Sequence, residues 1–128
     1  MELDFIENYN SNYPDDSIFV LKYFSKEELT QLSMELDALT EKNEYINLSK
    51  LHYVKNVSGK ELMLKTGREN KGIVKTGENM YECILKKAQY IDMKCMLMDY
   101  EITETTTYYW LYDGVTEIEF LLSYSGCW

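Results

Sequence analysis

Apolar and polar positions along this chain change their period several times, and each change marks an element. Residues 17–24 carry Ile18, Phe19, Val20, Leu21, Tyr23 and Phe24 on both parities. That pattern predicts a strand covered on two faces, hence central in a sheet. Ser25-Lys26-Glu27-Glu28 follows with the S-x-x-E spacing of a capping box, in which serine and glutamate satisfy each other's orphan backbone donors. Leu29, Leu32, Leu36 and Leu39 then recur at intervals of three and four. A helix is predicted there, with its leucine stripe inward, Glu28, Glu35, Asp37 and Glu41 toward water, and Asn43 as its stop.

The remaining segments are read in the same way. Residues 1–16 suggest a short N-terminal helix or arm that ends in the turn-prone Tyr13-Pro14-Asp15-Asp16. Residues 45–55 alternate imperfectly and suggest a strand. Two segments echo each other, Met63-Leu64-Lys65-Thr66-Gly67 and Ile73-Val74-Lys75-Thr76-Gly77, and each reads as a strand ending at a glycine turn. Met80, Cys83, Ile84, Ala88 and Ile91 follow a helical period, so a second helix is expected over 80–91. The compact apolar run of residues 93–102 is short enough for a buried strand.

The C-terminal segment gives the clearest local pattern. Residues 105–112 are β-branched and aromatic, Asp113-Gly114 is a favoured two-residue hairpin pair, and 115–123 alternates again. With Tyr112 opposite Val115, Tyr109, Leu111, Ile118, Phe120 and Leu122 share the face expected to pack on the helices. Tyr108, Trp110 and Tyr112 share the other face with Glu117, Glu119 and Leu121. Aromatic rings rimmed by carboxylates resemble binding hot spots, so Tyr108, Trp110, Tyr112, Glu117 and Glu119 form the candidate partner surface. The competing account buries the rings beneath the N-terminal arm or a helix and leaves only the glutamates in water.

Together these elements predict one α+β domain over residues 1–128. Two main helices pack on one face of a mainly antiparallel, twisted sheet, with the hairpin at its C-terminal end. A length of 128 residues with 45 % hydrophobic and 14 % aromatic positions is enough for one core. No apolar run approaches the ~20 residues of a bilayer span. Acids near the N-terminus stand where a secretory signal needs basic residues, so a cytoplasmic location is expected. Cys83, Cys95 and Cys127 are odd in number and lack metal spacing, which favours reduced, buried thiols.

Charge narrows the partners. Thirteen basic against 22 acidic residues give a net charge of -9, which disfavours direct nucleic-acid or membrane-surface binding and favours a basic protein partner. Candidate chemistry is sparse. His52 is the only histidine, so it is read as structural, and neither a metal site nor any cofactor is expected. Asp15-Asp16 and Glu27-Glu28 read as turn and helix-start residues. Lys65, Arg68 and Lys75 lie in the one basic segment, whose glycine turns could cradle an anion, although a charged tip that keeps a strand edge soluble is the commoner reason for such residues.

Two functional classes follow. The favoured one is an intracellular inhibitor that neutralises a basic protein without catalysis, in the manner of an immunity protein or an anti-defence factor. The alternative is a small-molecule-binding domain or enzyme with a pocket between sheet and helices, lined by methionines and tyrosines and containing His52 or a buried carboxylate. A homodimer is compatible with either class.

Overall fold

The fold is given by a computed structural model that describes residues 1–7, 9, 16–43, 45–102, 108–114 and 118–128. In chain order the elements are β1 (Glu2–Ile6), β2 (Ser17–Lys22), α1 (Lys26–Lys42), β3 (Ile46–Asn47), β4 (Lys55–Asn56), β5 (Glu61–Thr66), β6 (Gly72–Gly77), β7 (Met80–Leu85), α2 (Lys87–Asp99), β8 (Tyr108–Tyr112) and β9 (Ile118–Ser123). A short 3-10 turn, Leu48–Lys50, separates β3 from β4. The class is α+β. The strands, however, divide between two sheets, ordered β4-β1-β2-β9-β8 and β3-β5-β7-β6.

Antiparallel pairs are in the majority, as expected, but each sheet also contains parallel pairing. β1 pairs antiparallel with β2, but β2 pairs parallel with β9, and β5 pairs parallel with β7. Parallel pairing joins segments distant in sequence and leaves no turn signature between them. β2 is central, as its apolar pattern requires. One face of it contributes Phe19 and Leu21 to the main core, and the other joins Ile18 and Val20 to Leu121 in a small second cluster.

α1 forms where the sequence places it. The Ser25 hydroxyl accepts the Glu28 N–H at 3.1 Å, and the Glu28 carboxylate accepts the Ser25 N–H at 2.9 Å. Leu29, Leu32, Leu36 and Leu39 are buried, and Asn43 ends the helix in the left-handed region at φ 54°. The N-terminal residues form a strand in place of the expected helix or arm, with Leu3 and Phe5 alternating into the core.

Residues 80–102 invert the expected order. Met80–Leu85 is a strand that buries Tyr81, Cys83 and Leu85 in alternation, and Lys87–Asp99 is a helix that buries Tyr90, Met93 and Leu97. The same apolar residues fit either period over a short window, and the boundary at Lys86 decides the outcome. The strand expected over 45–55 reduces to the two short strands β3 and β4 with the 3-10 turn between them.

One continuous core joins both sheets to both helices. Between the sheets, Tyr81 stands 4.9 Å from Phe5 and 5.3 Å from Phe19, ring centre to ring centre. Tyr90 of α2 anchors that helix, its hydroxyl lying 2.8 Å from the Lys65 carbonyl oxygen and 2.7 Å from that of Cys83. The two helices are clamped by Lys94, whose ammonium donates to both Asp37 carboxylate oxygens at 2.6 and 2.8 Å.

β8 and β9 form the expected antiparallel pair, but not through a two-residue turn. Trp110 lies opposite Leu121 and Tyr109 opposite Leu122, four residues beyond the register that a tight Asp113-Gly114 turn would set. Gly114 is not among the positive-φ glycines, so it lacks the backbone that a type I′ turn demands. The displacement is even at Tyr109 and Trp110, so their faces stand as assigned, whereas the register slips by one more residue between Trp110 and Tyr112. Leu111, Phe120 and Leu122 enter the main core, while Trp110 and Leu121 lie on the opposite side.

Candidate functional site

β8 is an edge strand of the five-stranded sheet, and α2 runs beside it. Gln89, Asp92, Met96 and Asp99 follow one another at intervals of three, four and three, so they share a face of α2 beside its buried Tyr90, Met93 and Leu97. That face and the strand enclose two adjoining depressions of about 390 and 380 Å³. Met96 and Trp110 line both, and so form the boundary between them.

The first depression is the more polar. Asp92 and Gln89 of α2 meet Leu111 and Tyr112 of β8, and Asp113 with Gly114 closes one end. A side chain at 114 would fall on the Tyr112 ring, so the close approach of that ring explains the glycine. The second depression is walled by Tyr108, Tyr109 and Trp110, with Asp99 as its one acid. Tyr108 meets Trp110 edge-on at 6.1 Å, and Tyr109 is braced edge-on by Tyr100 at 5.3 Å. Trp110 is backed by the Ile18, Val20 and Leu121 cluster, which fixes the dividing wall.

The groove's acids, like several elsewhere on the surface such as Glu27, Glu41, Glu69 and Glu78, have no cationic partner among the described residues, but in the groove they stand beside aromatic rings. Among the described residues, Lys22, Lys50, Lys65, Lys94 and the Met1 ammonium pair with Asp4, Glu61, Glu82, Asp37 and Glu28. No described cation pairs with Asp92, Asp99 or Asp113, all three of which are exposed, and neither depression is lined by a lysine or arginine. Uncompensated carboxylates beside aromatic rings make an environment that attracts cations.

Of the proposed surface residues, Tyr108 at 41 % exposure and the half-buried Trp110 line the groove. Tyr112 is corrected: the irregularity in the β8–β9 register between Trp110 and Tyr112 turns it into the core, where it is 7 % exposed. Glu119 is also corrected as a free charge partner. Its carboxylate accepts a hydrogen bond from the Tyr9 hydroxyl at 2.6 Å, and burial together with that carboxylate pushes the phenol pKa well above its ordinary value. Part of the aromatic face thus lies under the N-terminal segment, since Tyr9 packs against the second cluster and meets Trp128 edge-on at 6.2 Å. Glu117 lies outside the described residues.

The basic segment does not converge. β5 and β6 are separated by β7, with Lys65 opposite Ile84 and Lys75 opposite Tyr81, three rows apart. Lys65 donates to Glu82 at 2.7 Å, and Arg68 is exposed in the connection between strands. Lys65 and Lys75 therefore stand apart on the sheet, on either side of β7. His52 sits exposed in a turn, edge-on to Tyr53 at 5.1 Å, and lines neither depression. Cys83 is buried as expected, whereas Cys95 and Cys127 are exposed.

Asp92, Met96 and Asp99 share a face only on a helix, since a strand over 93–102 puts Met96 and Asp99 on opposite faces and leaves Asp92 outside it. A helical reading from Lys87 onward would have gathered them. Among the described residues no group of three or more histidine, cysteine, aspartate or glutamate side chains is placed to hold a metal ion, and no helix is long and apolar enough to cross a membrane. No known protein family, curated protein or solved structure matches this chain significantly.

Proposed function

We propose that this protein is a binding domain which engages a basic protein partner inside the cell and, by covering it, inhibits it. The observation that carries the reading is the groove between α2 and β8, where three unpaired aspartates stand beside fixed aromatic rings. A net charge of -9 steers a cationic partner toward the molecule, and rings that lose water on contact slow its release. Immunity to a toxin and blockade of a host defence protein are both roles of this kind.

The test is affinity capture from cells of the native host at low and high salt. The natural chain is compared with a variant carrying Asp92→Asn, Asp99→Asn and Asp113→Asn. A basic protein held by the natural chain, released by salt and lost with the variant is the expected result. Identical retention by both chains would sink the proposed site.

A small-molecule function is favoured by one observation, the volume of each depression, which lies in the lower part of the range of ligand sites. Under that reading a small organic cation would raise the melting temperature of the natural chain and leave the asparagine variant unaffected.

A further inference from the structure

Resting on the basic-partner reading, we infer that the groove receives an extended segment of the partner carrying two arginines three positions apart, one guanidinium in each depression. Each depression has aromatic walls and its own carboxylate: Asp92 in the first, supported by Asp113, and Asp99 in the second. The shared Met96 and Trp110 divide a single groove into two cation sites, so one continuous ligand with two positive groups fits it better than one compact cation.

The spacing follows from helix geometry. Asp92 and Asp99 lie seven residues apart on α2, which is ~10 Å along a helix axis at about 1.5 Å per residue. A polyproline-type segment advances ~9 Å over three residues and returns its side chains to the same side. In a β-strand, side chains three apart point to opposite faces, and those two apart are only ~7 Å apart. An Arg-x-x-Arg segment in the polyproline conformation therefore matches both the distance and the single-sided presentation. Grooves lined with aromatic rings suit that conformation for the same reason.

Arginine is favoured over lysine because its planar guanidinium can lie on a ring face while donating two hydrogen bonds to a carboxylate. Tyr108, Tyr109 and Trp110 supply the faces in the second depression, and Asp99 supplies the acceptor. In the first depression Trp110 is joined by Asp92 and Asp113.

The test uses the full chain and four blocked fluorescent peptides on a proline-alanine background. They carry arginines three positions apart, arginines adjacent, lysines three apart, and citrullines three apart, and binding is read by anisotropy at 20 and 200 mM NaCl. The Arg-x-x-Arg peptide is expected to bind at least fivefold tighter than the adjacent-arginine and lysine peptides, and the citrulline peptide not at all. Asp92→Asn and Asp99→Asn should each weaken the first peptide about fivefold. Because Trp110→Ala removes a residue that also packs against the second cluster, Tyr108→Ala serves as the aromatic variant, with several-fold weakening expected.

Equal binding of the citrulline peptide, indifference to both asparagine substitutions, or equally tight binding of free arginine methyl ester would each overturn the inference. If the peptides fail while capture of a basic protein still depends on the three aspartates, the partner presents a folded surface. In that case the segment is wrong and the function stands. If the Arg-x-x-Arg peptide binds as expected while no cellular protein is retained, the inhibitor role fails and the groove's specificity stands.

Discussion

Ser25 and Glu28 show how much a few atoms can settle. Ser25 closes the first turn of α1, and Glu28 returns the bond while its other carboxylate oxygen accepts the Met1 ammonium at 2.7 Å. Ser25→Ala should cost about 1 kcal/mol, measured by urea unfolding, as N-cap losses commonly do. Burial raises the Glu28 pKa, but the ammonium and the Ser25 N–H outweigh it and hold the group below its ordinary value. A carboxylate depressed on folding contributes stability above its unfolded pKa, and that contribution disappears as pH falls through the folded one. The urea midpoint of the natural chain should therefore fall more steeply between about pH 5 and pH 3 than that of Glu28→Gln, and parallel curves would contradict the assignment. Thiol chemistry gives a second check. Burial pushes the Cys83 thiol up to about 12 against the opposing pull of Tyr90, whereas Cys95 and Cys127 face water. Ellman's reagent should titrate two thiols in the folded protein and the third only in denaturant. The capping box is legible because its partners are three residues apart. Exposure of Cys95 is not, because its neighbours along the chain are as apolar as those of Cys83.

Among the elements, α1 is specified locally and α2 is not. The four leucines of α1 recur at one helical period with charge between them, and each is buried in the core. Leu36→Ala should cost about 2–5 kcal/mol in chemical denaturation, since the leucine stripe is packed on all sides. Breaking the Lys94–Asp37 clamp by Lys94→Met should cost under about 1 kcal/mol, because both groups keep substantial contact with water. A larger loss there would mean that the clamp also holds the angle between the helices. Residues 80–99 defeated pattern reading because Tyr81, Cys83, Ile84 and Leu85 serve a strand and a helix equally well when taken six at a time. Without a side-chain cap at Lys86, no local residue announces where one ends and the other begins. The candidate groove was lost with that boundary, since Asp92 and Asp99 lie together only on a helix.

For the whole molecule, net charge and topology are the properties that count. With 22 acidic residues against 13 basic, repulsion opposes the compact state, so raising NaCl from 20 to 300 mM at pH 7 should increase the melting temperature by a few degrees. Binding of a basic partner should weaken over the same range, and a shift of both in one direction would argue against surface charge as their common cause. The α+β class could be read from the pattern, because strand-like and helix-like segments are each locally marked. Division into two sheets could not, since it depends on pairings between residues far apart in the chain. The parallel seating of β9 on β2, with Ser17 beside Ile118, also has a consequence for biosynthesis. As the chain leaves the ribosome, Ser17–Lys22 emerges about 100 residues before Ile118–Ser123 and waits, one flank bare, until that strand has been made. During that interval the nascent protein exposes an apolar, β-prone edge that another growing chain could zip onto, so synthesis rate and chaperone supply should govern its yield.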